Sequence, residues 1–206
     1  MTSVPLAAPH EGLPLPGFEI VSPQTLATAA TLADSDQVGA TRVIPDFTLH
    51  PQQQSNWCWL ATSSDVHNFY LPAAPITQCA LAGGVLFNDP TRCCTSPVPG
   101  ACNQPGLPST ALRALGNLMG APFALNTLSY PQVQTEINAG RPIIVGYTQP
   151  QQQVGHAVLL LGYTDVPTAA SKILVGDPAR GYLEVSFSDL LFTYSRYASE
   201  VCFTHS

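Results

Sequence analysis

Cys58 is followed directly by Trp59 and preceded, six residues earlier, by Gln52, in the run Gln52-Gln53-Gln54-Ser55-Asn56-Trp57-Cys58-Trp59. Far downstream come Gly155-His156-Ala157-Val158 and then Asp177-Pro178. A thiol, an imidazole and a carboxylate in that order supply a nucleophile, its base and a group that orients the base. Gln52 adds a side-chain N–H that can join the backbone N–H of Cys58 as an oxyanion donor. The chemistry would be attack of sulfur on a carbonyl carbon, giving an acyl-thioester. Each residue alone has a plainer explanation: a small buried hydrophobe for the cysteine, a satisfied core residue for the histidine, a turn for Gly-Asp-Pro. Their joint occurrence, each at the end of an expected element, is what points to a site.

Those ends belong to elements that the pattern of apolar residues predicts. A helix runs from Cys58 to about Leu71, with Leu60, Ala61, Val66, Phe69 and Tyr70 on one side and Pro72 and Pro75 as stops. A sulfur in the first turn of a helix has the unpaired N–H groups and the dipole in favour of its thiolate. His156 opens a strand that runs to Tyr163. Asp177 closes one that begins at Lys172, and if the two strands are neighbours the carboxylate reaches the imidazole. Further strands are expected at Pro142–Tyr147, Tyr182–Ser186 and Tyr197–Thr204. Further helices are expected from Ser109, as N-cap, through Leu118 with Gly120 at the end, from Pro131 to Ala139, and from Ser188 to Thr193. Helices come first and strands second, an α+β order: a helical lobe against an antiparallel sheet, with a cleft between them. Residues 43–206 would form this domain. Residues 1–42 would be a partly ordered extension with a short helix over Thr25–Ala33, serving as a pro-segment, a secretion leader or a plain strap. The pro-segment reading predicts self-shortening near Thr41–Phe47.

Four of the six cysteines, Cys79, Cys93, Cys94 and Cys102, crowd into a loop rich in Pro, Gly, Asn and Thr. Such a loop buries little and is usually stapled by disulfides. Adjacent Cys93 and Cys94 would each pair outward, one with Cys79 and one with Cys102, in either arrangement. A four-cysteine zinc site is the rival, and it lacks the short Cys-x-x-Cys knuckles such sites carry. Two disulfides there leave Cys58 and Cys202 unpaired. The reaction above calls for no cofactor and no metal.

Composition narrows the partners. The 206 residues are 45% hydrophobic, enough for a real core, and 10% charged, a low share that is commoner in secreted proteins. Seven Lys plus Arg and a net charge of -6 leave no basic stripe, so nucleic acid and anionic membrane surfaces are poor partners. No run of 18 apolar residues could span a bilayer. Met1–Pro16 has no positive n-region and is broken by four prolines, so it is no standard signal peptide. A secreted protein of this kind would use a dedicated export machine, or would be a chain already trimmed of its leader. Lys172 is the only lysine, which would suit a toxin exposed to a host cytosol but is explained more simply by an arginine-favouring genome.

The Gln-x-x-Ser-x-x-Cys-Trp-x-Ala run at 52–61, the Gly-His-Ala-Val-Leu-Leu-Leu-Gly-Tyr strand and the Asp-Pro pair together resemble the papain-like cysteine peptidases. Within these they are similar to the bacterial AvrRpt2-type effectors, over roughly residues 43–206. The resemblance implies a two-lobed fold with Cys58 as nucleophile, His156 as base and acid, Asp177 as orienter and Gln52 as oxyanion donor. Papain itself has Asn where this chain has Asp177. The expected function is cleavage of protein or peptide substrates by a secreted bacterial effector or toxin. The same site would also serve a transglutaminase, a deamidase or a peptidoglycan amidase, which product mass would separate: hydrolysis adds water and transfer adds the amine. A non-catalytic binding module on the same scaffold is the third possibility.

Overall fold

The computed structural model describes residues 19–20, 41–149, 154–164, 171–194 and 198–206. The helix expected over Thr25–Ala33 lies outside them. In chain order the described elements are β1 (Glu19–Ile20), β2 (Thr41–Val43), α1 (Cys58–Tyr70), α2 (Gln78–Phe87), α3 (Pro108–Leu115), β3 (Leu118–Phe123) and α4 (Tyr130–Asn138). They continue with β4 (Ile143–Gln149), β5 (Val154–Thr164), β6 (Lys172–Asp177), β7 (Gly181–Ser186), α5 (Phe187–Tyr194) and β8 (Ala198–Thr204).

The strands form one sheet in the order β1-β7-β6-β5-β4-β8-β3, with β2 paired to β5 off that path. Every pairing among the described residues is antiparallel. The period of two along the central strands divides their side chains between two cores. Val158 and Leu160 of β5 join Ile143, Val145, Val133 and Leu190 on one side. Ala157, Leu159 and Leu161 join Ile144, Trp57, Trp59 and Leu60 on the other. The sheet is therefore packed on both faces, which explains why β4 and β5 read as unbroken apolar runs. This is the α+β architecture the order of elements implies.

Three elements differ from expectation. The expected helix from Ser109 to Leu118 stops at Leu115, where Gly116 takes a left-handed φ of 75°. Pro108 opens it, and Ser109 is not its cap: the Ser109 N–H and hydroxyl both donate to the Glu200 carboxylate at 3.0 and 2.8 Å. A carboxylate reaching across from β8 thus serves the positive end of α3. Leu118 onward is strand β3, not helix. The cysteine-rich segment also holds α2, whose cap Thr77 accepts the Ala80 N–H at 3.2 Å and whose end, Asn88, is left-handed.

The segment expected for processing, Thr41–Phe47, is largely built into the fold. β2 pairs with β5, the Ile44 N–H donates to Leu161 O at 2.9 Å, and Ile44 is buried. Phe47 packs at a tilt against Phe69 with ring centroids 5.3 Å apart. Only Pro45 and Asp46 are exposed, in a turn where Asp46 has φ 60°. Within that window an accessible cut would fall at this turn, and residues upstream of it would stay paired to the sheet through β2.

Both tryptophans beside Cys58 are buried. Their indole N–H groups donate to Cys102 O at 2.8 Å and Gln104 O at 3.1 Å, so neither burial leaves a polar atom unpaired. Gly106 lies flat against the Trp59 ring, and a Cβ there would sit 2.5 Å from it. Gly106→Ala is therefore expected to destabilise the fold by about 1–3 kcal/mol, as overpacking does. A melting temperature equal to wild type would contradict this packing.

Candidate active site

Cys58 is the first residue of α1. The chain enters the helix through a turn closed by Trp57 N–H to Gln54 O at 3.1 Å, and Trp57 is the N-cap. No side chain caps this N-terminus; the Leu60 N–H turns back to Trp57 O at 3.0 Å, and the Cys58 and Trp59 N–H groups remain for a charge placed there. Cys58 is buried and unbonded to another cysteine. The four cysteines of the insert form two disulfides, Cys79–Cys94 and Cys93–Cys102, which settles the pairing and displaces the zinc alternative. Cys202 is the other free thiol. Burial, with Glu200 nearby, pushes it well above its ordinary value, so it is a poor nucleophile.

His156 stands near the start of β5 and Asp177 at the end of β6, and these strands are neighbours in the sheet. The imidazole Nε2 and Asp177 Oδ1 are 2.8 Å apart. Cys58 is the other side chain that acts on the charge of the ring, and with Nε2 committed to Asp177 the nitrogen left for a sulfur is Nδ1. Tyr147, opposite His156 on β4, meets the imidazole edge-on at 6.0 Å. The Ala179 N–H donates to the same Asp177 oxygen at 2.8 Å. The side chains of His156 and Asp177 are 11% and 2% exposed, so the pair is shielded from water.

Burial opposes an imidazolium, but the hydrogen bond to Asp177, the Asp177 charge and the interaction with Cys58 outweigh it and push His156 up to about 10. Burial likewise opposes the Asp177 carboxylate. The imidazole, the Ala179 N–H and nearby Arg180 outweigh it and hold that group below its ordinary 3.8. These shifts carry a stability consequence. The contribution of His156 is complete below about pH 6.5 and drains as pH rises toward 10, while that of Asp177 is present above about pH 4 and lost on acidification. The melting-temperature advantage of wild type over His156→Gln should thus peak between about pH 4 and 6.5 and shrink at alkaline pH. Melts across pH 4 to 10 showing a constant gap would contradict it.

Gln52 lies beside these groups through its backbone, whose N–H donates to Pro178 O at 3.0 Å in the turn after Asp177. Its side-chain amide braces its own loop: Nε2 donates to Gln54 O at 3.0 Å and Ser55 O at 2.9 Å. Swapping the amide would set its oxygen against two carbonyls, so this orientation is the favourable one. Both N–H groups are committed in the free enzyme.

Sequence reasoning did not find several residues that shape the site. Gln78 and Asn103 hydrogen-bond the loop before Cys58 from 25 and 47 positions away. Asp65, buried on α1, accepts both the N–H and Nδ1 of His50 at 2.9 and 2.8 Å. Burial raises Asp65 to about 6 against the opposing effect of these bonds. No local motif announces such partners.

A cysteine at a helix N-terminus, with a histidine and a carboxylate paired on adjacent antiparallel strands, supplies the parts of a thiol nucleophile, its base and an orienter. Residues 44–200 match the Peptidase_C39 like family, and the chain belongs to that family. Among solved structures, the crystal structure of the Pseudomonas avirulence protein AvrPphB is similar, with 12% identity and a TM-score of 0.37 over 79% of this chain and 100% of that one. No curated protein matches the chain. No helix among the described residues is long and apolar enough to cross a membrane.

Proposed function

We propose that this cysteine peptidase is a secreted endopeptidase that cleaves protein substrates through an acyl-thioester on Cys58. The observation that carries the reading is the 2.8 Å His156–Asp177 hydrogen bond, with Cys58 at the head of α1 close enough to act on the same imidazole. In the proposed cycle the thiolate attacks the scissile carbonyl, and the imidazolium gives its proton to the leaving amine. Neutral His156 then takes a proton from water, which attacks the thioester and releases the new carboxyl end. Asp177 keeps the ring in place throughout. The Cys58 backbone N–H is one oxyanion donor. Gln52 becomes the second by exchanging one bond, to Gln54 O or Ser55 O, for the incoming oxygen.

Residues 43–206 are the catalytic domain in this reading, and residues 1–42 an N-terminal segment. Two disulfides in the domain support an oxidising destination, hence export and an effector or toxin role. The test is digestion of a denatured protein mixture in ¹⁸O-water, with products read by mass. New C-termini bearing ¹⁸O, absent with His156→Gln, are expected. Products carrying an added amine instead would replace hydrolysis with acyl transfer.

A further inference from the structure

Residues 50–57 contain no helix or strand, yet they carry Gln52 and lead into the Cys58 N–H. His50 is tied to Asp65 and Gln52 to Pro178. The remaining anchors come from the cysteine-rich insert, which the reaction does not use. Gln78, the buried first residue of α2, straddles Gln52: its Nε2 donates to Pro51 O and its Oε1 accepts the Gln53 N–H, both at 2.9 Å. Asn103 grips the next stretch. Its Oδ1 accepts the Asn56 N–H at 3.0 Å, its backbone O accepts Asn56 Nδ2 at 3.0 Å, and its Nδ2 donates to Ser55 Oγ at 2.9 Å. The two indole bonds to Cys102 and Gln104 continue the same seam.

Each grip is next to a disulfide. Gln78 precedes Cys79, which is bonded to Cys94, and Asn103 follows Cys102, which is bonded to Cys93. Cys93 and Cys94 are adjacent, so the two grips are joined covalently through one dipeptide. An irregular loop cannot hold its own amides steady, whereas oxyanion donors act only when fixed in advance. A misplacement of about 1 Å near a reacting carbonyl can cost about 100-fold in rate.

We propose that Gln78 and Asn103 are positioning residues, through which the disulfide-stapled insert fixes the oxyanion side of the site. The proposal rests on the peptidase reading. It separates two properties: the sulfur's partnership with His156 stays intact without the grips, while stabilisation of the developing oxyanion does not.

Asn103→Ala should lower kcat for a small peptide ester about 10- to 100-fold, with KM changed less than about 3-fold. Alkylation of Cys58 by iodoacetamide, which needs no oxyanion hole, should stay within about 3-fold of wild type. Amide hydrogen exchange over residues 52–58 should rise at least about 10-fold while the sheet keeps its protection. Asn103→Asp should restore kcat, because a carboxylate still accepts the Asn56 N–H and can take a hydrogen from the Ser55 hydroxyl. Gln78→Ala should repeat the split if Asn103→Ala folds poorly. An unchanged kcat, or alkylation falling together with kcat and melting temperature, would overturn the proposal. Wild type that hydrolyses no ester would sink the peptidase reading instead, and unchanged exchange over 52–58 would still refute the grips by itself.

Discussion

Cys58→Ala protein is expected to fold and to lose peptide hydrolysis by about 10⁴-fold or more. The physical reasons are separable. Cys58 is buried at the head of α1, and trimming one sulfur from a small site costs about 1 kcal/mol, far less than the stability of a domain. The covalent route, by contrast, disappears entirely, because no other thiol can take over. Cys202 is buried on β8 with its proton held tightly, and the other four cysteines are bonded in pairs. Active-site geometry left without a nucleophile gives only the residual assistance of binding and oxyanion donors. Initial rates on the same peptide, with melting temperatures beside them, check this. Retention of more than about a hundredth of wild-type activity would remove Cys58 from the nucleophile's role.

The second large effect concerns Asp177, where two substitutions should part company. Asp177→Ala removes the acceptor of both the imidazole and the Ala179 N–H. His156 then loses its orientation and most of what offsets its burial, and kcat/KM should fall about 10²- to 10⁴-fold. Asp177→Asn keeps an oxygen that accepts both bonds, since each comes from a nitrogen that donates. Its loss should be no more than about tenfold, the smaller effect expected when ring orientation survives. Losing the negative charge must show elsewhere: His156 comes down from about 10, so the alkaline limb of the pH–rate profile should move to lower pH. Equal losses for the two variants would mean that charge, not orientation, is what Asp177 provides.

The parts of the candidate site that were legible in the sequence are those with local signals. Cys58 sits where an apolar helical pattern begins, His156 where an apolar strand begins, and Asp177 in a Gly-Asp-Pro turn that ends another strand. The meeting of His156 and Asp177 required only that β5 and β6 be neighbours, which a short antiparallel connection favours, and Cys58 joins them because α1 packs against β5. The strand β3 was not legible because Gly120 and Pro122 interrupt its pattern. Its place at the sheet edge is where such residues are tolerated. Helix α2 was hidden by Gly83 and Gly84 in its middle. A Cβ at Gly83 would collide with the backbone of Asp89 and Pro90, so close packing of the returning chain sets that glycine, against helix propensity. Gln78 and Asn103 carry no signature, since their partners lie far away in sequence and only the disulfide-stapled insert brings them together.

The central claim is that Cys58 is an activated sulfur in a formed papain-like cleft. The most direct test is intact-mass labelling of unreduced protein with an epoxysuccinyl inhibitor of papain-like enzymes, wild type and Cys58→Ala in parallel. The account predicts one adduct on wild type, mapped to Cys58, and none on the variant. The unlabelled mass should lie four hydrogens below the sequence mass, two for each disulfide. Folded wild-type protein that takes up no inhibitor, or takes it up at Cys202, would contradict the claim.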